Sequence, residues 1–205
     1  MAILKVARMG HPVLRTPAEP VPEDEVRSVP VQQLIEDMLD TCEEYEGIGL
    51  AAPQVHFSVQ LVILEIDDTG PTIWINPELT PLTDELVYTF EGCLSVPGLR
   101  GLVGRPASIR VNALNRHGDP IEQELHGFPA VVAQHECDHL SGTLYVDKVV
   151  PRTLTFLEEH SRFANWEQES EDEGEIGADP EDPEAPELDD EPGEENENPV
   201  ESEES

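Results

Sequence analysis

The sequence predicts an α+β fold in which mixed, largely antiparallel sheets pack around one central helix, with an N-terminal helix and a C-terminal helix completing the domain. Apolar residues recur at three-to-four spacing over 31–46, 128–140 and 151–166, the period of a helix with one buried face. Five short runs of β type lie between the first two of these segments. The connections between neighbouring runs are too short for crossover helices, so much of the pairing must be antiparallel.

Residues 1–30 are punctuated by His11-Pro12, Thr16-Pro17, Glu19-Pro20 and Val21-Pro22, which predicts an extended, irregular arm over the domain surface. Leu34, Ile35, Met38, Leu39, Cys42 and Tyr45 then form an apolar stripe from Val31 to Glu46, begun by Pro30 and ended by Gly47. Cys42 falls on that stripe and reads as a small core residue. Gly47-Ile48-Gly49-Leu50-Ala51-Ala52-Pro53-Gln54 reads by itself as a helix cap and tight turn. It lacks the third glycine of a dinucleotide fingerprint and the Gly-Lys-Ser/Thr of a phosphate loop.

Val59 to Ile66 is almost continuously apolar, as a strand buried on both faces should be, and 67–70 makes a turn. Ile73 to Ile75, Glu85 to Phe90, Ser108 to Leu114 and Ile121 to Leu125 are the other strands. Phe128, Val131, Val132, His135, His139 and Leu140 share one helical face, with Pro129 suited to its first turn and Gly142 to its stop. A last helix, about 151–166, carries Leu154, Leu157, Phe163 and Trp166.

The central helix contains His135-Glu136-Cys137-Asp138-His139, an HExxH spacing. Residues four apart share a helix face, so His135 and His139 can offer two imidazoles to one metal ion. Glu136 is placed to handle a proton beside that ion without being a ligand. A third ligand is then required. Cys93, in Glu91-Gly92-Cys93-Leu94-Ser95 at a strand end, is the cysteine set beside a glycine in a turn rather than in a helix pattern. One thiolate and two imidazoles would leave the fourth position open, as a catalytic ion needs. A zinc endopeptidase would instead need a His or Glu ligand downstream, where His160 is the sole histidine and sits in an ordinary amphipathic segment. A structural site would need a fourth protein ligand; Cys137 is nearest, but two residues from His135 it faces away. His11, His56, His117 and His126 read as surface or turn residues.

Three motifs in order, Gly47 to Gln54, Glu91 to Ser95 and Gln134 to Gly142, match G-x-G-x-A-A-x-Q, E-G-C-x-S and Q-H-E-x-D-H-x-x-G. On them the chain resembles the peptide deformylase family over roughly residues 3–165. The resemblance implies an enzyme that removes the formyl group from the N-terminal formyl-methionine of new bacterial or organellar proteins, releasing formate. It implies Cys93, His135 and His139 as ligands of one divalent ion, usually Fe(II), with Zn, Ni or Co also accepted. Glu136 matches the catalytic acid and base. Gln54 and the backbone N–H of Leu94 match the donors to the developing oxyanion. Ile48, Gly49, Val131 and Val132 match the walls of the methionine pocket, and Glu91 and Arg100 match positions behind the ligands or beside the substrate. The implied partners are N-formylmethionyl nascent peptides. Family members often dock at the ribosome through a basic C-terminal helix, but here Glu158 and Glu159 accompany Arg152 and Arg162, and an acidic segment follows.

Charge divides the chain. Residues 167–205 hold twenty of the 45 acids and none of the 11 bases, which leaves 1–166 at a net −14 of the total −34. The later segment holds five prolines, and Ile176, Leu188 and Val200 are its large apolar side chains. It cannot bury enough surface to offset the entropy of ordering. The expected division is a catalytic domain at 1–166 and a disordered acidic tail at 167–205. The acidity argues against direct nucleic-acid binding. The sequence offers no run long enough to span a membrane and no signal peptide at its start, and three cysteines cannot all pair, which together predict a reducing cytoplasm.

Overall fold

The structure is a computed structural model and describes residues 2–66 and 70–163. Most of the turn expected at 67–70, Trp166 and the acidic segment 167–205 lie outside the described residues. Helix α1 (Val29–Glu44) starts where the Ser28 side chain accepts the Val31 N–H and Pro30 occupies the first turn, two residues ahead of the expected start. Its buried face is Leu34, Ile35, Met38, Thr41 and Cys42. Five antiparallel strands follow in the order β1-β2-β3-β6-β7: β1 (Gly49–Ala51), β2 (Leu61–Leu64), β3 (Thr72–Pro81), β6 (Ser108–Leu114) and β7 (Pro120–His126). A separate sheet joins β4 (Leu86–Cys93), β5 (Val96–Pro106) and β8 (Thr155–Phe156), also antiparallel.

The alternation along β2 shows why its sequence is apolar throughout. Val62 and Leu64 enter the core shared with helix α2 (Phe128–Leu140), while Leu61 and Ile63 enter the core under α1. A third, smaller core joins Ala7, Leu14, Val96, Val103, Leu144 and Tyr145. Helix α2 touches β1, β2, β3 and β7 of the larger sheet and β5 of the smaller one. It therefore has buried residues on more than one side: Ala130, Val132, Ala133 and Leu140 face the main core, and Val131, His135, Glu136 and His139 are buried too. At its end the chain turns at Gly142, φ 75°, where a Cβ would stand 2.8 Å from the Arg15 carbonyl carbon, so close packing on the N-terminal arm demands glycine.

Several expectations change. The segment read as a helix cap and tight turn contributes strand β1, because Gly49, Leu50 and Ala51 pair with Leu64, Ile63 and Val62. Strand β5 has no counterpart in the sequence reading, since Pro97, Gly98, Gly101 and Gly104 resemble a loop. Those last two glycines serve packing: a Cβ at Gly101 would meet Val149 at 2.6 Å, and one at Gly104 would meet the Tyr88 ring at 2.8 Å. Strand β3 runs on past Ile75 through an irregularity, where Asn76 at φ 52° exchanges two 2.8 Å hydrogen bonds with the Val21 backbone. The N-terminal arm is irregular but not merely superficial, for Ala7, Leu14, Ala18, Val21 and Val26 are buried. The last helix is shorter than expected: residues 155–156 pair with β5, and helix α3 covers only Leu157–Phe163.

Candidate metal centre

The two sheets and α2 bring the ends of distant segments to one cavity of about 1060 Å³. Cys93 ends β4, just before the turn Leu94-Ser95, and α2 presents His135 and His139 one helical turn apart. One ligand atom from each of the three lies within 4.8 Å of the others, the one such group of three found among the described residues. Cys93 Sγ stands 3.4 Å from His139 Nε2. Bonds of about 2.3 Å to sulfur and 2.0–2.1 Å to nitrogen, set at a tetrahedral angle, impose a separation of about 3.5 Å. The donor set thus fits a divalent ion. Three buried polar atoms at or beside it, Glu136 Oε2, His139 Nδ1 and the Tyr145 hydroxyl, have no partner among the described residues.

Behind the three donors runs a chain of charges. His135 Nδ1 is 2.8 Å from Glu91 Oε2, which turns its other ring nitrogen toward the donor set. Arg105 grips Glu91 with both Nε and Nη2, and its Nη1 donates to Asp138 at 2.8 Å. Lys148 closes the line on the other Asp138 oxygen at 2.6 Å. Burial alone would raise the Glu91 pKa, but the Arg105 and His135 hydrogen bonds outweigh it and hold the carboxyl down at about 2. Burial also opposes the charged form of His135, yet Cys93 and Glu91 push its pKa up to about 10. For His139 burial wins, reinforced by His135 and Arg105, and the pKa falls well below the ordinary imidazole value. Burial likewise lifts Glu136 to about 7.

Arg105, only 2% exposed, is a residue the sequence reading misses. Arg105→Met should cost about 3–5 kcal/mol, because Glu91 and Asp138 would remain buried without their cation. Denaturant midpoints of the two proteins give the value. A loss under about 1 kcal/mol would mean that water or Lys148 compensates and that the line of charges is not a structural unit.

Gln54 is fixed end to end: the Ala51 N–H donates to its Oε1 at 2.8 Å, and its Nε2 points to Ser95 Oγ at 3.3 Å and Cys93 Sγ at 3.5 Å. That network assigns the amide orientation. Glu136 lies against β1, where a Cβ on Gly49 would stand 2.7 Å from both its Cγ and Oε1, so the backbone can approach only as glycine. Ile48 and Gly49 form one wall of the cavity, and Val131 and Val132 another, with Val132 shared with the main core. Leu94 and Arg100 lie along the wall formed by β4, β5 and the turn between them. His139 is not in the wall; it is 1% exposed and reaches the cavity's edge through Cys93.

The other cysteines stay out. Cys42 donates to the Gly47 carbonyl at 3.1 Å, its pKa pushed up to about 12 by burial. Cys137 packs on the main core, and burial raises its pKa as well. His11, His56, His117 and His126 are exposed, as expected. Unexpectedly, the N-terminal arm lines the cavity with Lys5, Val6 and Arg8. Tyr145, also unexpected, stacks on His135 at 6.0 Å between ring centroids.

A thiolate and two imidazoles around one point, with a buried carboxylate beside an open cavity, define a metal-dependent hydrolase. Residues 3–154 match the family model described as polypeptide deformylase. A peptide deformylase of Pseudomonas aeruginosa is 48% identical over 149 residues, covering 72% of this chain and 87% of that one. A Thermotoga maritima peptide deformylase structure superposes with a TM-score of 0.69 at 38% identity, covering 74% of this chain and all of that one. A class I type b peptide deformylase of Acinetobacter baumannii bound to Met-Ala-Ser gives 0.69 at 36%, over 72% and 99%. The chain belongs to the peptide deformylase family.

Proposed function

We propose that Cys93, His135 and His139 hold one divalent ion on the HExxH helix α2, Fe(II) in the cell with Zn, Ni or Co as substitutes. The reaction is hydrolysis of the formyl amide at the N-terminal formyl-methionine of newly made proteins, with release of formate. The observation that carries the assignment is the 3.4 Å approach of Cys93 Sγ to His139 Nε2 beside the buried carboxylate of Glu136. A bound ion supplies Lewis acidity, lowering the pKa of water and polarising the formyl carbonyl.

The protein's own residues do the rest. Glu136 takes a proton from the attacking water through a carboxylate oxygen and later delivers it to the leaving amine nitrogen. Gln54 Nε2, oriented by Ala51, and the Leu94 N–H donate to the carbonyl oxygen as it gains charge, each worth about 3 kcal/mol. Ile48, Gly49, Val131 and Val132 enclose the methionine side chain, and Arg100 meets the peptide beyond it. Glu91, held by Arg105, fixes the ring of His135. The relative that binds Met-Ala-Ser supports a peptide in this cavity.

Catalysis is assigned to residues 1–166, with 167–205 as an acidic extension that takes no part in it. The reducing cytoplasm suits a thiolate ligand. No described helix is long and apolar enough to cross a membrane. Contact with ribosomal RNA through α3 is disfavoured, because Glu158 and Glu159 there outnumber Arg162. The test is formate release from formyl-Met-Ala-Ser by protein purified without oxygen. Release should track metal content across chelated and reloaded samples; fully loaded protein that releases none would refute the reading.

A further inference from the structure

The chain holds 45 acids against 11 bases, so a base without an acidic partner is the exception. Arg15, Arg27, Arg105, Arg110, Arg116, Lys148 and Arg162 are ion-paired. Among the described residues Lys5, Arg8, Arg100 and Arg152 have neither an ion pair nor a side-chain hydrogen bond, and the first three line the catalytic cavity. Of the acids in the same wall, Glu91 is held by Arg105 and His135 and Glu136 is buried, which leaves Glu46 as the exposed one. Among the side chains lining this cavity, three unpaired bases therefore face one exposed acid.

The backbone on either side of Arg8 is anchored. The Ala7 N–H donates to the Gln54 carbonyl and the Met9 N–H to the Ser95 carbonyl, both at 2.7 Å. Arg8 sits between these anchors with Ala7 buried on its inner side, so the arm carries the exposed Arg8 side chain at the rim, with exposed Lys5 three residues before it. Across the cavity, the Arg100 side chain passes 3.7 Å from where a Cβ on Gly92 would stand, next to Cys93. Long-range steering of an anion is unfavourable for so acidic a chain, which confines any attraction to the last few ångströms, within a Debye length of the rim.

We propose that Lys5 and Arg8, with Arg100, form a cationic rim that selects formyl-methionyl peptides bearing an acidic side chain shortly after the methionine. The inference rests on the deformylase reading and names the substrate class of that same cavity. A cavity of about 1060 Å³ has room for residues beyond a methionine side chain. The rim charges would favour a carboxylate and oppose a lysine at the same place.

The experiment compares kcat/KM for C-terminally amidated formyl-Met-Ala-Glu, formyl-Met-Ala-Ser and formyl-Met-Ala-Lys, amidation removing the terminal carboxylate as a second anion. Wild-type protein should rank them Glu, Ser, Lys, with the first about ten-fold or more above the last at low salt. The spread should shrink to about two-fold at 1 M salt. The double variant Lys5→Gln/Arg8→Gln should cut the ratio to about two-fold, Arg8→Glu, which leaves the rim the same net charge, should cut it about as far, and Arg8→Lys should keep it. Arg152→Gln, away from the cavity, should leave the ratio where it was. Equal rates on all three peptides, a preference for lysine, or a preference that survives the double substitution undiminished would overturn the proposal. Failure of loaded wild-type protein to release formate from any of them would instead overturn the deformylase reading beneath it.

Discussion

Glu136→Gln should retain the bound metal and lose at least about 100-fold in kcat. The amide keeps nearly the volume of the carboxylate, so the close contact with Gly49 and the fold of α2 persist. What disappears is the group that can both accept and return a proton. Glu136 suits that double duty because it is buried beside the donor set, and burial raises its pKa from the ordinary carboxylate range. Metal content and kcat measured on one preparation decide the matter. Loss of metal would make Glu136 a ligand, and near-normal kcat would hand proton transfer to another group.

Cys93→Ala has the larger structural consequence at the same centre: it removes one of the three proposed ligands and should abolish most metal binding and activity together. Cys42→Ala should keep both and lose only stability, since Cys42 is wholly buried on the inner face of α1 with its thiol hydrogen-bonded to the Gly47 carbonyl. Cys137→Ala should behave like Cys42→Ala, because Cys137 packs on the main core rather than into the cavity. A Cys93→Ala protein that binds metal and releases formate at the wild-type rate would remove the thiolate from the account. Metal loss in Cys137→Ala would point to a structural site.

Helix α2 is legible in the sequence because its apolar residues and histidines repeat with one period, and its ends carry Pro129 and Gly142. Strand β6 is legible with the same bounds, from Ser108 to Leu114, because Ile109, Val111 and Ala113 alternate with outward residues. Strand β5 is not, for its glycines are there to admit Tyr88 and Val149 from elsewhere in the chain, a long-range need that leaves no local pattern. Missing β5 hides Arg105, which follows Gly101 and Val103 on the strand's buried face and would otherwise have stood out as an inward charge. The arm's contribution is hidden for a related reason: Arg8 gains its meaning only from backbone bonds to Gln54 and Ser95, far along the chain. Likewise Tyr145 stacks on His135 from a short 3₁₀ turn that no periodicity announces.

X-ray absorption on the zinc-loaded protein reads the atoms around the ion directly. A Cys-His-His site should show one sulfur scatterer at about 2.3 Å and two imidazole nitrogens at about 2.0–2.1 Å, with a light atom from solvent completing four. The sulfur shell should vanish in Cys93→Ala and persist in Cys42→Ala and Cys137→Ala. A first shell without sulfur, or one with two sulfurs and no solvent atom, would contradict that site.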